Sequence, residues 1–446
     1  MKFHIARKSF IRLTGPGMGA ITTGLLFATL ACANASAAGP KENVPVAQAT
    51  AALDAWRMDE VNALLGGLPS TFEGDYVRGI VSNRTNDIEA STLALRRALP
   101  GLDSADAEKA INARFTLADN YRKTSSHAEE AKLLRESIER YADQMKPKDL
   151  ASARTGLAFA SALSNSPPQT VSVSGESRLP SRRNLLGTLN VDAVANGVSA
   201  AWMLDSGANY SIVSQSFAKR LQLDIAGKVP GIGSATGISV DGEVAIVKEI
   251  RLGNAILRNV IVLVVSDEQL HIKLSKGEYQ IDAALGYPVF QALGRVSFIG
   301  DKSIVIGAKS LTLTDGAQLY MDELTPVLIL DVEGTPMPFI LDTGNTRTDL
   351  SYTYWMRMGE RAANWKRAQR QASGLGGAKT FDKVLQPEWK TRVGADEVVL
   401  KDVEVATQKE PDADKQPMYG RLGQDLWKDA AGFTIDFRSM RFRLDR

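Results

Sequence analysis

Two short runs of this 446-residue chain set a carboxylate in the same surroundings. Ala201-Trp202-Met203-Leu204-Asp205-Ser206-Gly207 ends an apolar run in an acid, a hydroxyl and a glycine. Pro338-Phe339-Ile340-Leu341-Asp342-Thr343-Gly344 does the same, 342 − 205 = 137 positions later. Gly197 and Gly334, in the turns before each run, are 334 − 197 = 137 apart, and so are Ala284-Leu285-Gly286 and Arg421-Leu422-Gly423 (422 − 285 = 137). Three landmarks with one offset mark a duplicated unit with one Asp in each copy. Other chemistry is thinly provided for. The single cysteine, Cys32, leaves no intramolecular disulfide and no cysteine-based metal or redox site. The three histidines, His4, His127 and His271, stand in no recognisable triad context. Water-activating chemistry here must lean on carboxylates.

The elements that would carry these acids read as short strands. β-branched runs alternate with Gly-centred turns, as in 188–194, Asn196-Gly197 and 199–204. Each copy also has a glycine-rich patch, Gly231-Ile232-Gly233-Ser234 and Gly374-Leu375-Gly376-Gly377, 231 − 205 = 26 and 374 − 342 = 32 positions past its Asp. A paired-strand segment follows each patch, and each copy closes on a final strand, Ser297 to Ile306 and Phe433 to Leu444. The longer connection in the second copy holds a Trp/Arg-rich stretch, Tyr352 to Gln371, that reads as helical.

Apolar-Asp-Ser/Thr-Gly, a glycine patch and apolar-Leu-Gly, present twice, resemble the layout of retropepsin-like and pepsin-like aspartic peptidases. The resemblance covers about Leu186 to Arg446, with two fused copies as in pepsins and retropepsin-sized lobes. It implies Asp205 and Asp342 as a catalytic dyad sharing one proton, one activating water and the other polarising the scissile carbonyl. It further implies that Ser206 and Thr343 cross-brace the lobes, that Gly207 and Gly344 allow the tight turn, and that the Gly of Leu-Gly lets its strand pass close to the catalytic loop. Gly231, Gly233, Ser234, Gly374, Gly376 and Gly377 become flap and substrate-binding residues. No metal and no organic cofactor is implied. Ala208 follows the first Gly as in retropepsins, Asn345 follows the second where pepsins usually have Ser or Thr, and Thr236-Gly237-Ile238 brings no flap Tyr. By resemblance Ala208 and Asn345 point to a pH optimum less acid than pepsin's, and the absent flap Tyr is more like retropepsin than pepsin.

Ahead of the β half, residues 44–164 show apolar residues at three- and four-residue steps, such as Ala131, Leu134 and Ile138. Breaks at 66–69, Pro100-Gly101, 124–126 and 146–147 divide them into about five helices in antiparallel hairpins. The segments 76–99 and 115–141 resemble tetratricopeptide-type repeats, and a helical prodomain or structural bundle is the other reading. Residues 165–183, rich in Ser and Pro, read as a linker. The expected organisation is thus multidomain: signal peptide 1–37, all-α helical hairpins 44–164, linker, and an all-β, bilobed acid-protease fold with lobes 184–310 and 311–446.

Lys2, Arg7, Lys8 and Arg12, the apolar run 18–31 and Ala35-Ser36-Ala37 form an export signal, which points to the periplasm. Arg7-Lys8 is similar to a twin-arginine signal and Thr29-Leu30-Ala31-Cys32 to a lipoprotein box, so membrane attachment is expected only through a lipid on Cys32. The formal net charge of +2 supplies no field for nucleic acid. The expected function is an aspartic endopeptidase acting on envelope peptides or proteins. The alternative is a catalytically inactive, peptidase-like protein that binds peptide, and in either case the helical region can dock a protein partner.

Overall fold

The computed structural model describes residues 44–233, 239–274, 277–307, 312–375, 377–408 and 418–446. The expected export signal with Cys32, and also Ser234, Thr236-Gly237-Ile238 and Gly376, lie outside the described residues.

Seven helices come first among the described residues: α1 (Val44–Asp54), α2 (Met58–Leu65), α3 (Phe72–Arg84), α4 (Ile88–Ala105), α5 (Ala107–Lys123), α6 (His127–Tyr141) and α7 (Pro147–Ala162). Their starts follow local chemistry. Thr71, Asp87 and Asp106 each accept the amide N–H three residues on, capping α3, α4 and α5, and Pro147 opens α7 where no amide partner is needed. The break expected at Pro100-Gly101 does not occur. α4 continues through both, because Leu95, Ala98 and Leu102 are fully buried on one face and a side chain at Gly101 would collide with the Phe72 ring. Packing here outweighs the roughly 3 kcal/mol that proline costs a helix interior.

The β-rich part begins earlier than expected. β1 (Thr170–Val173) and β2 (Ser177–Arg183) occupy the expected linker. The first copy continues with β3 (Leu189–Ala195), β4 (Val198–Leu204), β5 (Ser211–Ser214), α8 (Gln215–Arg220), β6 (Ile225–Gly233), β7 (Ser239–Leu252), β8 (Ala255–Val265), β9 (His271–Leu274), β10 (Gly277–Gln280), β11 (Ala283–Leu285), α9 (Tyr287–Leu293), β12 (Arg295–Ile299) and β13 (Ser303–Ile306). The second runs β14 (Ala317–Asp322), β15 (Thr325–Val332), β16 (Thr335–Leu341), β17 (Asp349–Leu350), α10 (Tyr352–Met358), β18 (Lys366–Gly374), β19 (Gly377–Val393), β20 (Asp396–Ala406), β21 (Gly420–Leu422), β22 (Gly432–Asp436) and β23 (Arg441–Asp445).

The strands that flank the two acids correspond between the copies. The hairpins β3–β4 and β15–β16 turn at Asn196-Gly197 and Glu333-Gly334, all four at positive φ, which the tight two-residue turn demands. β11 runs parallel to β4 through Leu285 and Leu204, and β21 parallel to β16 through Leu422 and Leu341. A six-stranded sheet in the order β2-β13-β12-β22-β23-β14 joins the copies. At its centre β12 and β22 pair equivalent residues. Ser297 faces Thr434 with hydroxyls 2.8 Å apart, and Arg295 donates to the buried Asp436 carboxylate at 2.8 and 2.5 Å.

β2 therefore fills in the first copy the place β14 fills in the second, and 165–183 is corrected from linker to sheet. The Ser/Pro composition concealed it because neither face of β2 is fully buried, so no apolar period develops, and its partners β13 and β3 are supplied by later chain. The helix expected over Tyr352 to Gln371 is also shortened. α10 ends at Gly359, whose φ is 52°, and Lys366 to Gly374 form a strand paired with β19.

The helical layer packs on both copies. Phe159 and Leu163 enter the main β core, while Tyr320, Val327 and Met418 of the second copy join the helical core. Among the described residues, no helix is long and apolar enough to cross a membrane.

Candidate active site

Asp205 follows β4 and Asp342 follows β16, each at the point where its strand leaves the sheet. The strands are buried on Trp202, Leu204, Phe339 and Leu341, so the acids project from rigid supports. Each Asp amide donates to the carbonyl of the Leu in its own Leu-Gly element, Leu285 at 3.0 Å and Leu422 at 3.1 Å. Each acid is then folded against its own turn. Gly207 and Ala208 donate amide N–H bonds to Asp205 Oδ1 at 3.0 and 3.1 Å, and Gly344 donates to Asp342 Oδ1 at 2.9 Å.

The two turns meet. A Cβ on Gly207 would sit 2.3 Å from Asp342 Cγ, and one on Gly344 2.6 Å from Asp205 Cγ. The expectation that these glycines supply a special backbone conformation is therefore sharpened. Neither has the left-handed φ of a turn glycine; what matters is the missing side chain, which leaves room for the opposite carboxyl. The hydroxyls cross below. Ser206 N–H donates to Thr343 Oγ1 at 2.9 Å and Thr343 N–H to Ser206 Oγ at 3.1 Å. Each hydroxyl also donates across the junction, Ser206 to the Leu341 carbonyl at 3.4 Å and Thr343 to the Leu204 carbonyl at 3.2 Å.

A second pair of hydroxyls locks the Leu-Gly elements. Gly286 N–H donates to Ser211 Oγ and Gly423 N–H to Thr348 Oγ1, both at 3.1 Å. The close approach of these glycines is real, since a Cβ on Gly286 would lie 2.4 Å from the Tyr210 carbonyl carbon and one on Gly423 2.4 Å from that of Arg347. Ser211 and Thr348 were missed from sequence, though a hydroxyl six positions after each Asp was there to be read.

Burial and neighbouring charge both act on the first acid. Burial first, then the Asp342 charge and a hydrogen bond to its carboxyl, push Asp205 up to about 8, while Arg421 pulls the other way. Arg421 Nη1 donates to Asp342 Oδ2 at 3.0 Å. Arg421 appeared in the sequence only as part of a landmark, and its contact with the acid became visible when β21 was laid beside β16.

Residues 191–289 match the family model of the aspartyl proteases. The matched segment holds Asp205, Ser206, Gly207 and Leu285-Gly286, and the second copy is tied to it by the shared offset and strand plan. A crystal structure of a retropepsin-like aspartic protease from Rickettsia conorii is similar over 31% of this chain and 93% of that chain, at 18% identity and a TM-score of 0.23. No curated protein matches.

The glycine patches of the two copies are hairpin tips. Gly231 and Gly233 end β6, and Gly374 faces Gly377 where β18 turns into β19. The described contacts bring none of them to Asp205 or Asp342. A Cβ at Gly233 or Gly374 would meet nothing within 4 Å, so close packing does not explain glycine there. The first hairpin instead leans on α7. A Cβ on Gly227 would lie 2.6 Å from Ala162 Cβ, and one on Gly231 3.5 Å from Thr155 Oγ1. The same helix reaches the first acid's loop, where the Phe159 and Tyr210 ring centroids are 4.5 Å apart. Among the described residues no group of three or more His, Cys, Asp or Glu gathers as a metal site.

Proposed function

We propose that the β-rich part of this chain is an aspartic endopeptidase in which Asp205 and Asp342 together activate water against a peptide bond. One observation carries the reading: the two carboxyls face each other across Gly207 and Gly344, on loops whose hydroxyls are cross-bonded. Acids this close cannot both ionise comfortably and share one proton, so a base and an acid are present at once. The carboxylate takes a proton from water as its oxygen attacks the carbonyl carbon, and the protonated partner gives its proton to the carbonyl oxygen. The C–N bond then breaks as the leaving nitrogen is protonated from the pair. No covalent enzyme intermediate and no cofactor is needed. The match of residues 191–289 to aspartyl proteases supports this class of chemistry.

In this reading the two copies act as lobes, and an extended peptide binds between them beneath the tips of β6–β7 and β18–β19, held by backbone hydrogen bonds. The flap role of Gly231, Gly233, Ser234, Gly374, Gly376 and Gly377 belongs to the same proposal. The basic start, apolar run and A-x-A site support action on peptides or proteins of the cell envelope, with a lipid tether if Cys32 is retained. The antiparallel helices, similar to tetratricopeptide repeats in sequence, offer a surface for a protein partner.

The test is cleavage of an unstructured protein at mildly acid pH. Asp205→Asn and Asp342→Asn should each lower the rate by about 10²–10⁴-fold. A pepstatin-type mimic of the tetrahedral intermediate should bind the parent protein tightly and both variants weakly. Undiminished cleavage by either variant would sink the reading.

A further inference from the structure

Around the two acids the copies share the Asp, the hydroxyl, the glycine and the Leu-Gly element, and they differ on the strand beside each acid. On β11, Ala284 stands beside Met203 of β4 and Ile212 of β5. In the second copy the corresponding residue is Arg421, beside Ile340 of β16 and Asp349 of β17. An apolar neighbourhood has become a charged one, and the guanidinium is turned to the acid. Arg421 Nη1 donates to Asp342 Oδ2 at 3.0 Å while Oδ1 takes the Gly344 amide at 2.9 Å, so both oxygens of Asp342 accept from donors. Asp205 Oδ1 takes two amide N–H bonds, and the corresponding neighbour in its own copy is the methyl of Ala284.

We propose that Arg421 is a positioning residue that makes the pair directional: it holds Asp342 as the standing carboxylate and leaves the shared proton on Asp205. This rests on the peptidase reading above. Asp342 is then the base that takes the proton from water, and Asp205 is the acid that protonates the carbonyl oxygen. A fixed cation against one member of a carboxyl pair favours every ionised state of the pair, so both proton-loss steps move to lower pH. An opposite charge at this range lowers a carboxylic acid by about one to three pH units. The window in which one proton is held therefore opens and closes at lower pH than in the same pair without Arg421.

Other charged groups lie on the elements beside Arg421. Asp349 of β17 shares its face of the sheet, and one of its oxygens accepts from Asn345 Nδ2 at 3.0 Å. Glu404 of β20, in register with Asp349, is held by Arg370 at 2.8 Å and approached by Arg347 at 3.9 Å. Burial raises Glu404, so it gains its charge above the ordinary range. Asp425, beyond β21, accepts the Thr348 amide and hydroxyl, both at 2.7 Å. Arg421 itself donates to Asp342 Oδ2 at 3.0 Å.

The natural test is Arg421→Ala, which installs the residue of the other copy. The pH profile of kcat/KM should keep its bell shape while both limbs move up by about one to three units, and Arg421→Lys should bring them back most of the way. An unmoved profile, or a rise in rate at every pH with the limbs in place, as an inhibitory latch would give, overturns the proposal. Should Arg421→Ala fail to fold, carboxyl ¹³C resonances of the unmodified protein decide it, assigned from Asp205→Asn and Asp342→Asn. Asp342 should remain a carboxylate over the range in which Asp205 takes up its proton, and the opposite order refutes the assignment. Failure of the underlying reading looks different: Asp205→Asn or Asp342→Asn would then still cleave, whatever Arg421 does.

Discussion

Ser206 and Thr343, 137 positions apart, exchange hydrogen bonds directly beneath the two acids, the amide of each donating to the hydroxyl of the other. Both residues are buried, at 0% and 4% exposure, so no water can replace a lost partner cheaply. Thr343→Val keeps the shape and removes the hydroxyl, leaving the Ser206 amide without its acceptor. A loss of about 1–3 kcal/mol is expected in a denaturant melt, with a fall in kcat that exceeds any rise in KM. Thr343→Ser should restore both.

Stability should also report the state of Asp205. Its folded value, about 8, lies above the unfolded carboxyl value of 3.8, so the native protein holds a proton that the unfolded chain has given up. The native state binds more protons in that window, and its stability from this group is fully present below about pH 4 and is lost as pH rises toward about 8. Urea midpoints at pH 5 and pH 8 should show a decline that is smaller in Asp205→Asn. Equal declines in both proteins would show that the proton is held elsewhere.

The sheet between the copies has its own internal ion pair. Arg295 and Asp436 are 9% and 0% exposed at the side chain, on strands that meet at the centre of the six-stranded sheet. Removing one partner strands a buried charge, and Arg295→Met alone should cost about 3–5 kcal/mol. The double change Arg295→Met with Asp436→Leu should recover much of it. If the single variant melts like the parent protein, the pair contributes nothing measurable.

The helical layer should not behave as a detachable piece. Phe159 is fully buried between His127 and Tyr210, five residues after Asp205. Phe159→Ala should cost about 3–5 kcal/mol, and melting followed by helical and aromatic signals should remain a single transition. Two separated transitions in the parent protein would argue that the helices and the β-rich part stand independently.

Much of the plan was legible because the chain states it twice. A local signal such as Asp-Thr-Gly is weak alone, but Gly197 with Gly334, Asp205 with Asp342 and Leu285 with Leu422 at one offset leave little freedom in how the copies align. The strands that carry the acids were legible as well, since burial on Trp202, Leu204, Phe339 and Leu341 writes an apolar run into the sequence. Elements whose partners are distant were not. β2 has no buried face to generate a period, α4 continues through Pro100 because tertiary packing compensates, and α10 stops at a left-handed glycine that composition does not flag.

By itself the sequence determined that there are two equivalent acids, each with its hydroxyl, its glycine and its Leu-Gly element, because these are covalent facts of type and spacing. The tertiary structure decided what the copies do to one another. It brought Asp205 against Gly344 and Asp342 against Gly207, crossed the hydroxyls of Ser206 and Thr343, laid α7 against the first hairpin and the Tyr210 loop, and turned Arg421 to Asp342. Equivalence along the chain therefore ends in inequality at the site. The reason is physical: a charge acts through distance and burial, and both are set only when strands remote in sequence are laid side by side.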